Sequence, residues 1–277
     1  MPTTHHPFEI HLGPLPLTGF GLAVLAAFII AQIISQRELL QRGHKTEAQA
    51  IPDLILASVI GTLIGGRLYY VLVVTHDWGD LFGRAGFVFW GGFIGAVILN
   101  WIVVHRKKLS FTRISDVGGI AIAAGYAVGR TGCWAVGDDY GRPWDGPLAV
   151  RFPEGAPPST AGVMNQAFGT PVPPGASPDT VLAVHPTQLY ETALGFAMFL
   201  ILWRFRKHPH AAGWLFGFYG VLAGAERFVI EFFRAKDDRL VGPFTYAQMI
   251  AIAIALAGAF WMLQRRRPAR ESLAPAT

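Results

Sequence analysis

Seven stretches of this chain are apolar for long enough to cross a bilayer core of about 30 Å. They fall near residues 15–36, 53–74, 86–104, 114–135, 187–204, 212–233 and 243–264. Within hydrocarbon every backbone N–H and C=O must be satisfied inside the segment, which makes runs of this length helices. The expected fold is therefore all-α: a polytopic membrane protein of about seven transmembrane helices, one domain over residues 1–277. Composition agrees. The chain is 52% hydrophobic and 15% charged, whereas soluble domains average about 25% charged.

Orientation follows from Lys and Arg, which stay on the cytoplasmic side. RELLQRGHK follows span one, HRKKLSFTR span three, RFRKH span five and RRRPAR span seven. The expected topology has the N-terminus outside and the C-terminus in the cytoplasm. FFRAKDDRL, after span six, runs against this with three basic residues outside, accompanied by two aspartates. The opening MPTTHHPFEIHLGPL has no Lys or Arg. A secretory signal carries a basic n-region, so the first span is expected to be retained. Residues 136–186, with PEGAPPST and TPVPPGASP, form the one long connection, expected to be a periplasmic Pro/Gly-rich loop between spans four and five.

The net charge of +5 does not indicate nucleic acid, because the basic residues lie in short clusters between apolar runs. The single cysteine, Cys133, allows no internal disulfide. No Cys/His cluster has metal-ligand spacing, and neither metal nor cofactor is expected.

Spans two, four and six each carry an arginine in their outer half: Arg67, Arg130 and Arg227. At about 1.5 Å rise per residue they lie about 5–12 Å from the outer end, one layer supplied by three helices. An arginine at the centre of a span costs at least about 2.5 kcal/mol and normally faces a polar interior. Snorkelling to the interface is the bland alternative. Mutual neutralisation of Arg227, Glu231 and Arg234, at i, i+4 and i+7, is another. Guanidinium forks match phosphate oxygens. At this depth the available phosphate belongs to a lipid headgroup, so the expected ligand is an anionic phospholipid. Gly129, Gly132, Gly137 and Gly141 would allow turns or close backbone approach.

HPTQLYE, residues 185–191, stands at the outer start of span five. Pro186 suits a first helical turn, and a helix N-terminus facing the arginine layer adds positive potential. The plain alternative is a well-formed start signal with Tyr190 in the interfacial belt. Gly91, Gly92 and Gly95 in WGGFIGA first suggest close helix packing.

Together, GGRLYYV, FWGGFIGA, GRTGC…GDDYG, HPTQLYE and GAERFVIEFFR resemble the prolipoprotein diacylglyceryl transferase family over most of the chain. The resemblance implies a multi-pass protein of the bacterial inner membrane. It implies transfer of a diacylglyceryl group from phosphatidylglycerol to the lipobox cysteine thiol in the signal region of a preprolipoprotein. Arg130 then matches the signature arginine, Gly141 its closing glycine, and Asp138 its acidic position. Arg227 and Glu231 match the sixth-span pair. Four positions depart: Trp90 for histidine, Cys133 for asparagine, and Phe20 and Ala223 for tyrosines. With Trp90 in place of the histidine, the base is sought among Asp138, Asp139, His185 and Glu231. Catalytic roles are expected for Arg130, Arg227, His185, Asp138 and Glu231. Substrate contacts are expected from Arg67, Gly91, Gly92, Gly141, Gln188, Tyr190 and Glu191. Cys133 is read chiefly as packing, with a lipid-carrying thiol as the sharper reading. The competing classes are an anion or lipid transporter and a catalytically silent lipid-binding homologue acting as a subunit or scaffold.

Overall fold

A computed structural model describes residues 2–12, 15–82, 88–236, 239–241 and 244–266. Among these the fold is mostly helical. The helices are α1 (Gly19–Gln41), α2 (Lys45–Tyr69), α3 (Phe89–Arg106), α4 (Phe111–Val136), α5 (Ala161–Gln166), α6 (Thr187–Phe205), α7 (Trp214–Ile230) and α8 (Tyr246–Gln264). A π-helical extension, Tyr70–Thr75, continues α2. Short strands complete the fold: β1 (Thr3–Thr4), β2 (Glu9–Leu12), β3 (Leu15–Thr18), β4 (Val150–Arg151), β5 (Ala183–Val184), β6 (Arg239–Val241) and β7 (Phe244–Thr245).

Each of the seven expected spans holds a helix, with shifted ends. Residues 15–18 pair with 9–12 as an antiparallel hairpin, so α1 starts at Gly19. α2 starts eight residues before the expected 53, because its charged first turns are neutralised. Arg113 Nη1 donates to Glu47 Oε1 at 3.1 Å, and Lys107 Nζ to Asp53 Oδ2 at 2.5 Å. Residues 86, 87 and 243, at the edges of two expected spans, lie outside the described residues. Among the described residues, four helices are long and apolar enough to cross a membrane: Gly19–Gln41, Lys45–Thr75, Phe89–Arg106 and Tyr246–Gln264. Their outward faces are apolar. Leu56, Leu63, Trp101, Leu256 and Phe260 are all exposed, the reverse of a water-facing surface.

The chain divides into two compact units, residues 32–117 and residues 1–31 with 118–277. The first is built on α2 and α3, which approach through glycine. A Cβ at Gly61 would lie 2.5 Å from the Gly95 carbonyl oxygen. One at Gly65, Gly91 or Gly95 would meet the opposing helix closer still. Small residues at such crossings let backbones pack where lipid offers no hydrophobic drive. Asn100 Nδ2 donates to Ser58 Oγ at 2.8 Å across the same interface. One end of this unit closes on a core of Leu39, Ala48, Ile51, Leu54, Val104 and Val117.

The other unit uses the same device. A Cβ on Gly132 of α4 would lie 2.8 Å from Ala23 Cβ of α1. One on Gly217 of α7 would lie 2.7 Å from the Gly258 carbonyl of α8. The Pro/Gly-rich connection between α4 and α6 has its own core, of Tyr140, Val150, Phe152, Ala161, Met164, Leu182 and Val184, with Ala235. β1 lies parallel to β4, and β4 antiparallel to β5. Ser159 Oγ accepts from Phe152 N at 3.0 Å and donates to Leu182 O at 2.9 Å, satisfying backbone inside that core.

Candidate active site

Where α4 ends, the chain makes two left-handed steps, Gly137 (φ +68°) and Asp139 (φ +59°). Glycine takes the first without penalty; for aspartate such a backbone is uncommon and needs fixing from outside. The fixing is dense. Thr187 Oγ1 donates to the Asp139 carbonyl at 2.6 Å, and Gln188 Nε2 to the Asp138 carbonyl at 2.5 Å. Both donors are fully buried in the first turn of α6. Gly141 N donates to His185 O at 2.8 Å, and Arg142 N to Phe233 O at 2.8 Å. Gly141 is thus held between the start of α6 and the turn after α7. A Cβ there would lie 2.8 Å from His185 Cβ and from Thr187 Cγ2 and would overlap the Phe233 carbonyl.

This loop delivers the Asp139 carboxylate to two guanidinium groups. Arg130 Nη1 donates to Oδ2 and Arg234 Nη2 to Oδ1, each at 2.8 Å. Arg130 Nη2 pairs with Glu191 Oε2, and Arg234 Nη1 lies 3.8 Å from Glu191 Oε1. Two cations and two anions therefore alternate. Glu191 is almost wholly buried, its side chain 3% exposed, and Arg130 nearly so at 13%. Charges so placed persist only when paired and hydrogen-bonded. Burial opposes ionisation of Asp139, but Arg234 and Arg130 outweigh it and hold the carboxyl well below the usual range. Asp138 goes the other way: burial raises its pKa and the Asp139 charge adds to the effect. Its Oδ1 accepts the Asp139 N–H at 2.6 Å.

Around this square stand further groups. The Tyr126 hydroxyl lies 3.2 Å from Glu191 Oε1 and 3.0 Å from Glu226 Oε1. Arg130 Nη1 donates to the buried Cys133 thiol at 3.4 Å. Arg130 Nε and Gln188 Oε1 are buried with no hydrogen-bond partner among the described residues. His185 stacks on Trp144, ring centroids 4.2 Å apart, and its Nδ1 lies 3.3 Å from the Tyr190 hydroxyl. Burial lowers the His185 pKa and Arg142 lowers it further, which favours the neutral ring.

Arg227 belongs to a second cluster. Its Nη2 pairs with Glu231 Oε2 at 2.6 Å, and Glu231 Oε1 accepts from Thr245 Oγ1 at 3.1 Å. Thr245 and Gln248 form a reciprocal cap on α8, which ties Glu231 to that helix start. The i, i+4 pair of the sequence is present. Arg234 leaves it, because α7 stops at Ile230 and the following turn carries Arg234 to Asp139 and Glu191.

Of the expected site residues, Arg130, Asp138, Gly141, His185, Gln188, Tyr190 and Glu191 gather on the α4 end, the loop after it and the first turns of α6. Arg67, Gly91 and Gly92 belong to the unit of residues 32–117. There Arg67 is in the last turn of α2, and Gly91 and Gly92 are buried in α3. Sequence reasoning missed Tyr126, Glu226 and Arg142, and assigned no ligand role to Arg234. One signal for Tyr126 was available: it stands four residues before Arg130, on the same helix face.

Residues 7–264 match the family described as prolipoprotein diacylglyceryl transferase. The chain is 32% identical over 280 residues to the phosphatidylglycerol–prolipoprotein diacylglyceryl transferase of Bordetella parapertussis, covering 95% of this chain and 96% of that one. It is 32% identical over 292 residues to that of Paraburkholderia phymatum, covering 98% and 96%. It is 28% identical over 272 residues to that of Nitratidesulfovibrio vulgaris, covering 93% of each. The chain belongs to the prolipoprotein diacylglyceryl transferase family.

Proposed function

We propose that this protein transfers a diacylglyceryl group from phosphatidylglycerol to the thiol of a lipobox cysteine in a preprolipoprotein. The observation that carries the reading is the family match over residues 7–264, with the buried Arg130–Asp139–Arg234–Glu191 square inside it. In this reading seven helices span the bacterial inner membrane, with the N-terminus outside, the C-terminus in the cytoplasm and residues 136–186 in the periplasm.

In the reaction a thiolate sulfur attacks the glycerol C3 carbon. A C–S bond forms, the C–O bond to phosphate breaks, and the electron pair leaves on the phosphate oxygen. The products are a thioether and glycerol 1-phosphate; the thiol proton passes to a base. A free thiol has a pKa near about 8.5, so a base or a positive field must raise its thiolate fraction. Arg130 holds the headgroup phosphate and stabilises the charge that grows as the C–O bond breaks; only the second effect accelerates the chemistry. Arg227 does the same from the neighbouring cluster, oriented by Glu231. The proton acceptor is His185 or Asp138: the ring because burial and Arg142 favour its neutral form, the carboxylate because burial makes it more basic than usual. Gln188, Tyr190 and Glu191 position the headgroup and the loop. The proposal rests on the unit that holds Arg130.

Incubating the purified protein in phosphatidylglycerol nanodiscs with a lipobox peptide, then identifying products by mass spectrometry, tests the proposal. A diacylglyceryl thioether and released glycerol phosphate are expected. Lipid binding with neither product would overturn it.

A further inference from the structure

The Tyr126 hydroxyl stands between two carboxylates, 3.2 Å from Glu191 Oε1 and 3.0 Å from Glu226 Oε1. Both separations are hydrogen-bond distances or close to them. A phenol has one hydrogen, and an ionised carboxylate can only accept. Two links therefore need two hydrogens, and the phenol supplies one. With both links formed, the second is a carboxyl proton.

Its position follows from the neighbours. Glu191 is paired with Arg130 and lies 3.8 Å from Arg234, so its negative charge is compensated. Glu226 adjoins Arg227 in sequence, but Arg227 turns to Glu231 at 2.6 Å. Charged and titratable groups that act on Glu226 include Tyr126 and Arg130 from α4, Glu191 from α6, and Tyr219 and Arg227 from its own helix. Were both glutamates ionised, two like charges would flank one phenol in a low-dielectric setting, where repulsion is strong.

We infer that Glu226 is a neutral carboxylic acid that donates to Tyr126, which donates to Glu191. The chain presents Arg130 with a hydrogen-bonded, ionised Glu191 and keeps a second negative charge away from it. Glu226 is thus a positioning residue: it acts on Arg130 through Tyr126 and Glu191 and does not touch the lipid. The inference stands on the hydrogen count. Only its activity arm rests on the transferase reading above.

The test uses the full-length protein in nanodiscs at neutral pH. Infrared spectroscopy should show the carbonyl stretch of a protonated carboxylic acid, moved by exchange into D2O and lost in E226Q. Its absence from the wild type, or its persistence in E226Q, would overturn the inference. In the transfer assay E226A should lose activity and E226Q should restore it, because the amide also donates to Tyr126. Raising the pH should deprotonate Glu226 and give the wild type an alkaline limb that E226Q lacks. Folded E226Q as inactive as folded E226A would mean that a carboxylate is required, and would overturn the inference. If E226A does not fold, the infrared band and the E226Q pH profile decide. A band assigned to Glu226 in a protein that transfers nothing would uphold the inference while the functional reading fails.

Discussion

Arg130 on α4 and Glu191 on α6 are 61 residues apart in sequence and joined by an ion pair that is nearly excluded from solvent. Removing Arg130 leaves Glu191 buried with only the more distant Arg234, 3.8 Å away, to compensate it, at a cost of up to about 3–5 kcal/mol. R130A should therefore lower the unfolding temperature in detergent as well as abolish transfer. R130A/E191Q should recover part of the stability and none of the turnover. Full turnover in R130A would remove the electrophilic role assigned to this arginine.

Asp138 and Asp139 are neighbours with opposite pH behaviour. The folded pKa of Asp139 is depressed, so its contribution is complete above the unfolded value of about 3.9 and is lost as the pH falls from there. The folded pKa of Asp138 is raised, so its ionised form is a penalty above that folded value, relieved as the pH falls. D139N should destabilise at neutral pH, with the difference shrinking below about pH 4. D138N should stabilise at neutral pH, because Asn keeps the oxygen that accepts from Asp139 N, and should slow transfer if Asp138 takes the thiol proton. Thermal unfolding across the acid range compares the two, and shifts in the same direction would contradict the assignment.

Gly141 has no room for a methyl group. G141A must displace the Phe233 carbonyl, His185 or Thr187, and overpacking of this kind costs about 1–3 kcal/mol. Because those residues also anchor the loop that carries Asp139, activity should fall more steeply than stability. A G141A protein with wild-type kinetics would show that the loop tolerates widening there.

Cys133 is buried beside Arg130. A small buried cysteine acts mainly as a packing group. C133S should keep transfer, and intact-mass spectra during turnover should show no diacylglyceryl adduct on the protein. An adduct on Cys133 would instead establish a covalent route through the protein's own thiol.

Much of the helical scaffold was legible in the sequence, because a span must be apolar along its length. Ends were less so. Lys45, Glu47 and Asp53 look like loop residues until Arg113 and Lys107 are placed against Glu47 and Asp53. The segment after α4 read as an irregular connection because Phe152, Met164 and Val184 are scattered among prolines and glycines without a helical or strand period. Its core arises from distant pieces meeting, including Ala235 from beyond α7. The site was legible by residue type and not by partner. Arg130 and Glu191 were both singled out, but their pairing depends on how α4 and α6 pack. Tyr126 lies outside every motif and Glu226 sits inside GAERFVIEFFR without a role assigned by it; only the fold brings their oxygens together.

The glycine contacts between α2 and α3 have a mechanical meaning. Helices that touch backbone to backbone behave as a single stiff lever. Arg67 at the end of α2 and Trp90 at the start of α3 ride on the same tip of it, where Val88 N donates to Gly66 O at 3.4 Å. Swinging either residue therefore carries the other along.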